Sequence, residues 1–381
     1  MGLSRRPWSR LSTRVARGSA IVLALLLVLF VTPAQAAEPP VNVAVPTIAG
    51  EPAYRERLTA TPGSWTPPTG LTFTYQWARD GVAIAGATAA AYRIDLADLG
   101  HTLSVTVTAT DATGTPATAV SAPTGPVARA SFEVVSKPEL SGVSRFTRLL
   151  TGEKPRLRPR PTSVRYRWLR DDAPLPGARG RTHRVGVDDV DHRLRLQVTV
   201  RREGYATERL LSSPRTGRHL VPVRRTVTYH VETRGPIVAD LAEFRRQAQE
   251  TYDDPRGWRA AGVELRQVPR GGDFTLVLAS AGSVPGFSSI CSSTWSCRVG
   301  RFVVINQDRW RGASPAWNAA GRALRDYRHM VVNHETGHWL GHGHLGCPRP
   351  GPAPVMMQQS KGRGACSFNP WPLAFERWYR R

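Results

Sequence analysis

The feature that most constrains the fold is an internal repeat in the first half of the chain. A segment that starts at Thr74 aligns without a gap with one that starts at Arg165, an offset of 91 positions (165 minus 74). The copies read TYQWARDGVAIAGATAAAYRIDLADLGHTLSVTVTAT and RYRWLRDDAPLPGARGRTHRVGVDDVDHRLRLQVTVR. A repeat of this length predicts two modules with the same fold. The matched pairs are Tyr75 with Tyr166, Trp77 with Trp168, Asp80 with Asp171, Gly86 with Gly177 and His101 with His192.

Apolar residues alternate near the end of each copy, which is the pattern of a half-buried strand. Turn signals interrupt the pattern about every ten residues, as a β-sandwich requires. The Tyr-x-Trp strand is expected to supply the aromatic residue of each core. The pair resembles the Ig-like repeats found in tandem on bacterial secreted and surface proteins, although Asp172 replaces a turn glycine in the second copy. The resemblance implies either spacers or modules that adhere to a cell-wall polymer or a protein.

Residues 1–36 have the pattern of an export signal. Five arginines precede an apolar run at 21–31, and Ala34-Gln35-Ala36 follows with small residues suited to a signal peptidase. A membrane span needs roughly 20 apolar residues. We therefore expect a mature form with no membrane span that is secreted or associated with the cell wall. An uncleaved anchor is the alternative.

If the protein is exported, its cysteines are expected to form disulfides, because disulfides form in oxidising compartments. The chain has four: Cys291, Cys297, Cys347 and Cys366. We predict the local pairs Cys291–Cys297 and Cys347–Cys366, although four cysteines allow three connectivities. A cysteine zinc site is disfavoured because the sequence contains no CxxC pair.

Positive charge is concentrated in the second module. Residues 131–225 carry 22 basic and 10 acidic side chains, in a chain whose formal net charge is +23. An exported protein with such a module could bind an anionic cell-wall polymer or lipid headgroups. No nucleic acid is expected as a partner, because no aromatic–basic interleaving or nucleic-acid motif accompanies the charge. The alternative is an arginine-rich solvated surface.

Beyond residue 223 the pattern changes to mixed strands and helices. Residues 240–252 predict an amphipathic helix, because Leu241, Phe244, Ala248 and Tyr252 share one face. Ser314-Pro315 predicts a helix start, and a helical stretch that includes 324–340 follows. Strands are predicted at 226–231, 263–268, 274–279 and 302–305. These elements indicate an α+β domain.

The string His334-Glu335-Thr336-Gly337-His338 is an HExxH motif. Residues four apart lie on one face of a helix, so both imidazoles can bind one ion. The glutamate between them can take a proton from water on the metal. The motif therefore predicts zinc held by His334 and His338, with Glu335 as the catalytic base.

The third ligand is predicted to be His344. His342 would stand about 6 Å further along the helix axis than His338 and about 12 Å from His334. Zinc–nitrogen bonds of about 2.1 Å exclude such a set. Gly341 can take a positive φ and end the helix, so the chain can turn back and bring His344 to the metal. His342 is then expected to be a supporting or a surface residue.

The spacing His-Glu-x-x-His-x-x-Gly-x-x-His is the extended metzincin pattern. Metzincins place a methionine in a tight turn beneath the zinc. Pro354-Val355-Met356-Met357 follows His344 and suits that turn, with Met356 as the favoured residue. Ordinary core packing is the alternative for either methionine.

Most of the stretch 223–381 resembles an uncharacterised family of secreted actinobacterial proteins with a zincin-like domain. The similarity runs through FRRQAQETYDDPRGW, GDFTLVLAS, CRVGRFVVINQDRW, LRDYRHMVVNHETGHWLGHGH and CPRPGPAPVMMQQS. The resemblance implies a metzincin-like metallopeptidase that uses the same three histidines and the glutamate. It supplies no substrate. Unlike astacin-like enzymes, the chain has no tyrosine shortly after the methionine turn.

We therefore expect a multidomain protein with two all-β Ig-like sandwiches followed by an α+β, metzincin-like zincin domain. The expected function is a secreted zinc metalloendopeptidase, in which Glu335 is the general base for zinc-activated water acting on a protein or peptide. The alternatives are a cell-wall-binding or adhesion protein with an inactive zincin domain, and a zinc hydrolase of peptidoglycan amides. The predicted boundaries are a signal peptide at 1–36, an Ig-like module at 37–130, a basic Ig-like module at 131–222 and the peptidase domain at 223–381.

Overall fold

The structure, a computed structural model, describes residues 39–66 and 69–380. The signal expected at 1–36 lies outside these residues. The chain divides into two compact units. Of the described residues, one unit takes in 39–52, 56–94 and 100–127, and the other takes in 53–55, 95–99 and 128–380. No helix within the described ranges is long and apolar enough to cross a membrane.

The first unit is built from short antiparallel strands. Its main sheet has the order β6-β5-β8-β9, and smaller sheets are β2-β3-β7 and β1-β4. Trp77 is fully buried, and its indole Nε1 donates to the carbonyl of Ala89 at 2.9 Å. The strands are β1 Val41–Ala44, β2 Ile48–Ala49, β3 Arg57–Ala60, β4 Ser64–Thr66, β5 Thr72–Arg79, β6 Val82–Ala83, β7 Ala91–Arg93, β8 Leu103–Thr110 and β9 Pro116–Val120.

The second module, inside the larger unit, repeats this plan. Its main sheet has the order β15-β14-β17-β18, with β19 also paired to β17, and smaller sheets are β11-β12-β16 and β10-β13. Trp168 is fully buried, and its indole donates to the carbonyl of Gly180 at 3.1 Å. Both residues lie 91 positions after Trp77 and Ala89, which form the same contact in the first module. The strands are β10 Glu133–Ser136, β11 Leu140–Gly142, β12 Leu149–Gly152, β13 Arg156–Arg158, β14 Ser163–Arg170, β15 Ala173–Pro174, β16 Thr182–Arg184, β17 Arg193–Arg201, β18 Glu208–Leu211 and β19 Arg215–Thr216.

Polar contacts repeat as well. The imidazole Nδ1 of His101 lies 2.6 Å from Asp80 Oδ2, and His192 contacts Asp171 in the same way. Each aspartate has a positive φ in the turn that follows a central strand. The prediction of two sandwich-like β modules is confirmed, because the repeated residues form the same core and turn contacts in both copies.

The C-terminal region contains one mixed five-stranded sheet of order β21-β20-β22-β24-β23. Its first four strands run parallel, and β23 pairs antiparallel with β24 at one edge. All six residues of β22 are buried, which is typical of a parallel strand covered on both faces. The strands are β20 Arg225–Arg234, β21 Val263–Gln267, β22 Phe274–Ala279, β23 Cys297–Val299 and β24 Phe302–Asn306.

Four α-helices accompany this sheet: α1 Leu241–Asp253, α2 Gln307–Gly312, α3 Pro315–Ala319 and α4 Leu324–Leu340. The Asp240 carboxylate caps α1 by accepting from the amides of Ala242 and Glu243. Ser314 caps α3, and proline follows at the first helical position. Twelve of the 17 residues of α4 are buried, so this helix lies inside the domain.

Both predicted disulfides, Cys291–Cys297 and Cys347–Cys366, are confirmed. The described residues contain no free cysteine. Each bond closes a short stretch of chain near the histidines of α4.

Candidate metal centre

Helix α4 places the first two histidines of the HExxH motif one turn apart. The ring centroids of His334 and His338 are 4.7 Å apart, and their Nε2 atoms are separated by 3.2 Å. The helix is fixed in its rotation by buried neighbours: Tyr252 Oη contacts Thr336 Oγ1 at 2.8 Å, and Trp258 Nε1 donates to the carbonyl of Asn333. The two imidazoles therefore have a defined direction.

The helix ends at Gly341, which has a φ of 106°. Its amide bonds back to the carbonyls of Gly337 and His338, as in a left-handed helix cap. The chain then reverses, and His344 Nε2 comes within 3.1 Å of His338 Nε2. The structure thus brings together the three histidines that the sequence analysis selects as ligands.

The ring nitrogens of His334, His338 and His344 lie within 4.8 Å of one another. Ligands on a tetrahedral zinc at about 2.05 Å are about 3.3 Å apart. The observed Nε2 separations of 3.1 and 3.2 Å match that spacing. The donor set therefore fits a single zinc ion, with room for a fourth ligand from outside the three side chains.

Backbone carbonyls orient two of the imidazoles. His334 Nδ1 lies 2.8 Å from the carbonyl oxygen of Val355, and His338 Nδ1 lies 2.9 Å from that of His342. A carbonyl can only accept, so each Nδ1 carries the hydrogen and each Nε2 presents a lone pair. Lone pairs that converge in this way are stabilised by a cation between them.

Loss of solvation, complete for His334 and partial for His344, also favours the neutral form of these imidazoles, which is the form that binds a metal. Desolvation lowers the pKa of His334 to about 3 and lowers the pKa values of His338 and His344. Neighbouring cations lower these pKa values further. Arg298 lowers the pKa of His338, and Lys361 lowers the pKa values of His334 and His344.

Glu335 is 6% exposed and lines the same cavity as the three histidines. Burial raises the pKa of its carboxyl group to about 8. A divalent cation beside it would favour the ionised form. A carboxyl group in this setting can exchange a proton near neutral pH, as a general base requires.

The cavity has a volume of about 660 Å³. The segment 290–298, which reaches into edge strand β23, and the segment 358–361 both contribute to its walls. Arg298 and Lys361 bring positive charge to these walls, and Glu335 is the only carboxylate among the described lining residues. The cavity is large enough for several residues of an extended chain, and its lining carries positive charge.

The methionine turn lies directly beneath the histidines. The amide of Met357 donates to the carbonyl of Pro354, and Met356 is fully buried whereas Met357 is half-buried. A Cβ atom on Gly337 would clash with Met356 Sδ and would lie 2.7 Å from Trp258 Cζ2. Met356 therefore fills the space next to the helix turn that joins the two histidines.

His342 does not join the other histidines, as the helix geometry predicts. It is 6% exposed, and its ring lies between Trp258 and Trp378, with centroid distances of 4.8 and 3.9 Å. Its Nε2 lies 2.8 Å from the carbonyl of Trp378. His342 is thus a buried supporting residue, whose own carbonyl orients His338.

Glu376 is a site residue that the sequence analysis missed. It is 1% exposed, and its carboxylate accepts from the amides of Val355, Met356 and Leu373 at 3.0, 2.9 and 2.7 Å. These bonds hold the methionine turn, and the turn in turn holds His334 through Val355. The sequence offers only a weak signal, a single acidic residue in the mostly apolar string WPLAFERW.

A backbone hydrogen bond and a disulfide hold the loop that carries His344. The amide of Leu345 donates to the carbonyl of Met356 at 3.1 Å. The disulfide from Cys347 to Cys366 then links the same loop to the segment that follows the turn. Because the His344 side chain is exposed, its position depends on this hydrogen bond and disulfide and not on burial.

Comparison with known proteins gives a family for part of the chain. Residues 212–364, which include the HExxH helix and the methionine turn, match the family described as "Protein of unknown function (DUF3152)". This description names no activity, so the peptidase activity expected from the sequence stays a prediction. No curated protein matches the chain.

Several of the similar solved structures are described as Ig or immunoglobulin domains. Three N-terminal domains of the bacteriophage RB49 outer capsid protein Hoc are 13% identical, with a TM-score of 0.22, over 50% of this chain and 65% of that one. The Ig1-2 module of the Drosophila receptor protein tyrosine phosphatase DLAR is 10% identical, with a TM-score of 0.16, over 46% and 97%. Sidekick-1 immunoglobulin domains 1–5 are 16% identical, with a TM-score of 0.19, over 53% and 44%.

Proposed function

We propose that the C-terminal region is a zinc-dependent peptidase of the metzincin type, carried on a secreted or cell-wall-associated protein. The observation that supports this most directly is the convergence of three imidazoles, whose Nε2 atoms are 3.2 Å apart for His334 and His338 and 3.1 Å apart for His338 and His344, in a cavity that also contains Glu335. A structural zinc site needs four protein ligands and no base. Three ligands with a carboxyl group beside them favour catalysis.

The topology agrees with this proposal. The buried helix α4 carries the first two ligands, a glycine ends it, and the third ligand follows in the reversing chain. Met356 packs under the site as the extended metzincin pattern requires. A mixed sheet with one antiparallel edge strand borders the cavity.

In the proposed reaction, His334, His338 and His344 would hold the zinc. The bound metal would supply a Lewis acid and lower the pKa of water. Glu335 takes the proton from the attacking water and returns it to the leaving amine. The carbonyls of Val355 and His342 keep the imidazoles in the tautomer that presents Nε2. The cavity that Arg298 and Lys361 line receives the substrate.

The test compares three forms of the chain from residue 37 onwards: wild type, Glu335→Gln and Glu232→Gln. Glu232 pairs with His230 and Arg234 away from the histidine cluster, so it is the matched control. Zinc content is measured by elemental analysis, and cleavage is measured on a mixed peptide library by mass spectrometry.

We expect one zinc per chain in all three proteins and cleavage by the wild type and Glu232→Gln alone. Loss of the base should lower the rate by at least about 100-fold. Bound zinc without cleavage by the wild type would overturn the peptidase proposal and favour a binding protein or a hydrolase of cell-wall amides. Equal cleavage by Glu335→Gln would remove Glu335 from the mechanism.

A further inference from the structure

A second concave surface lies on the second β module, within residues 164–209 and outside the metal centre. It is a groove of about 540 Å³, lined by Val164, Arg165, Tyr166, Arg167, Arg179, Gln197, Thr199, Arg201 and Arg209. Five of these nine residues are arginines, and none is acidic. All five arginines are exposed, and we call this surface the arginine groove.

The strand register places four of the arginines on one face of the main sheet. Arg165 on β14 and Arg209 on β18 both lie opposite Thr199 on the central strand β17. Arg167 lies opposite Gln197, and Arg201 lies opposite Ser163. Residues on β17 between these positions, such as Val198 and Val200, are fully buried in the core, so the arginines occupy the outer face.

The spacing of this face suits an extended ligand. Arg165 and Arg167 are two positions apart on one strand, which separates their Cα atoms by about 6.6 Å. Arg165 and Arg209 are separated by two strand spacings, or about 9.6 Å. A single anion could reach one or two of these guanidinium groups, whereas a linear polyanion could contact all of them in succession.

No neighbouring carboxylate neutralises the arginine groove. Among the described residues, none of its five arginines forms an ion pair or donates a side-chain hydrogen bond. By contrast, Arg193 and Arg195 on the same sheet pair with Asp172 at 3.3 and 3.1 Å. The positive charge of the groove is therefore directed to solvent.

The first β module shows that the fold does not need these arginines. The two main sheets share the same register at the 91-position offset, since Thr74 lies opposite Thr108 as Arg165 lies opposite Thr199. Every groove arginine has an uncharged counterpart in the first module. The pairs are Arg165 with Thr74, Arg167 with Gln76, Arg179 with Thr88, Arg201 with Thr110 and Arg209 with Thr118.

We propose that the arginine groove binds a linear, non-nucleic-acid phosphodiester polymer. Guanidinium groups form bidentate hydrogen bonds with phosphate oxygens, and arginine serves this role better than lysine. Thr199 and Gln197, between the arginines, can add neutral hydrogen bonds to the ester or hydroxyl oxygens of such a chain.

The surface is poorly suited to nucleic acid. Proteins that bind single strands without sequence preference combine positive charge with exposed aromatic rings on which bases stack. The one aromatic residue at the arginine groove is Tyr166, whose ring packs against the module core and whose hydroxyl is buried. Recognition here would depend on backbone phosphates alone.

The experiment replaces three arginines with the residues that the first module carries: Arg165→Thr, Arg167→Gln and Arg209→Thr. The matched control removes the same charge from exposed positions elsewhere in the module, with Arg148→Gln, Lys154→Gln and Arg156→Gln. Binding of the chain from residue 37 onwards to poly(glycerol phosphate) is measured by calorimetry at 0.15 M salt. Oligo(dT) and poly-glutamate of equal charge are the comparison ligands, and thermal unfolding verifies that each variant is folded.

We expect the groove variant to bind poly(glycerol phosphate) at least about 10-fold more weakly than the wild type, and the control variant to differ by less than about 3-fold. The wild type should prefer poly(glycerol phosphate) to both comparison ligands. Failure of the wild type to bind, equal loss in the two variants, or tighter binding of oligo(dT) would each overturn the proposal. The outcome does not depend on peptidase activity.

Discussion

The Nδ1 atom of His334 lies 2.8 Å from the carbonyl oxygen of Val355, and the amide nitrogen of Val355 lies 3.0 Å from the Glu376 carboxylate. One residue of the methionine turn thus connects a candidate zinc ligand to a buried acid near the C-terminal end. The adjacent amide of Met356 makes a second bond to the same carboxylate. The position of His334 therefore depends on a group that is 42 residues away in sequence (376 minus 334).

This relationship predicts that Glu376→Gln weakens zinc binding. A glutamine amide keeps one acceptor oxygen, so at least one of three buried N–H donors loses its partner at a cost of about 1–3 kcal/mol. Disturbing a group that orients a ligand typically lowers metal affinity about 10- to 100-fold. Chelator competition measures the zinc dissociation constant, with Glu264→Gln on the edge strand β21 as the control. Unchanged zinc affinity in Glu376→Gln would show that the turn holds His334 without this carboxylate.

Gly337→Ala should destabilise the protein, although alanine favours a helix over glycine by about 1 kcal/mol. The new methyl group would clash with Met356 Sδ and approach Trp258, and overpacking of this kind costs about 1–3 kcal/mol. Chemical denaturation measures the loss. When Met356→Ala is added, the combined loss should be smaller than the sum of the two single losses, because the new methyl group then has space. A double variant whose loss equals the sum of the single losses would argue against direct contact.

The three candidate zinc ligands could be predicted because their geometry is local. His334 and His338 are one helical turn apart, and Gly341 determines where the helix ends, so the three ligands follow from a short stretch of sequence. The two disulfides could also be predicted, because each joins cysteines that are near in sequence. The repeated β modules followed from the gapless alignment of Trp77 with Trp168.

Other parts of the site depend on contacts between distant segments. The sequence does not indicate that Glu376 accepts three backbone hydrogen bonds, because these depend on how the last residues pack over the methionine turn. The same holds for His342, whose burial between Trp258 and Trp378 depends on tertiary packing. The excess charge of residues 131–225 is evident in the sequence, but its concentration on one sheet face required the strand register.

If the cavity is the active site, its cationic walls should favour acidic substrates. Lys361 and Arg298 both line it and both depress the pKa values of the histidines. Peptides with Asp or Glu beside the scissile bond should therefore have a kcat/KM about fivefold higher than their Asn or Gln counterparts, as expected for one exposed ion pair. Lys361→Gln should reduce this ratio without loss of zinc. A ratio that is the same in both proteins would place the substrate away from Lys361.

His329 is expected to make the stability of the domain fall in mild acid. Its Nε2 accepts from Arg325, and its Nδ1 lies 2.8 Å from Thr251 Oγ1, whose own hydrogen goes to the carbonyl of Gln247. Both contacts suit the neutral ring. Burial, assisted by the charge of Arg325, lowers the pKa of His329 below its usual 6.5.

The folded and unfolded states differ in how readily His329 binds a proton. As the pH falls below about 6.5, the unfolded chain protonates this histidine while the folded protein does not, so unfolding is favoured. His329→Asn removes the titrating group and keeps a donor for Thr251. Between pH 7.5 and pH 5.0 the wild type should therefore lose up to about 2 kcal/mol more stability than the variant. Urea unfolding with chelator present measures this difference, and the titration of the other histidines cancels in the comparison. Equal losses in the two proteins would mean that His329 is protonated in the folded state.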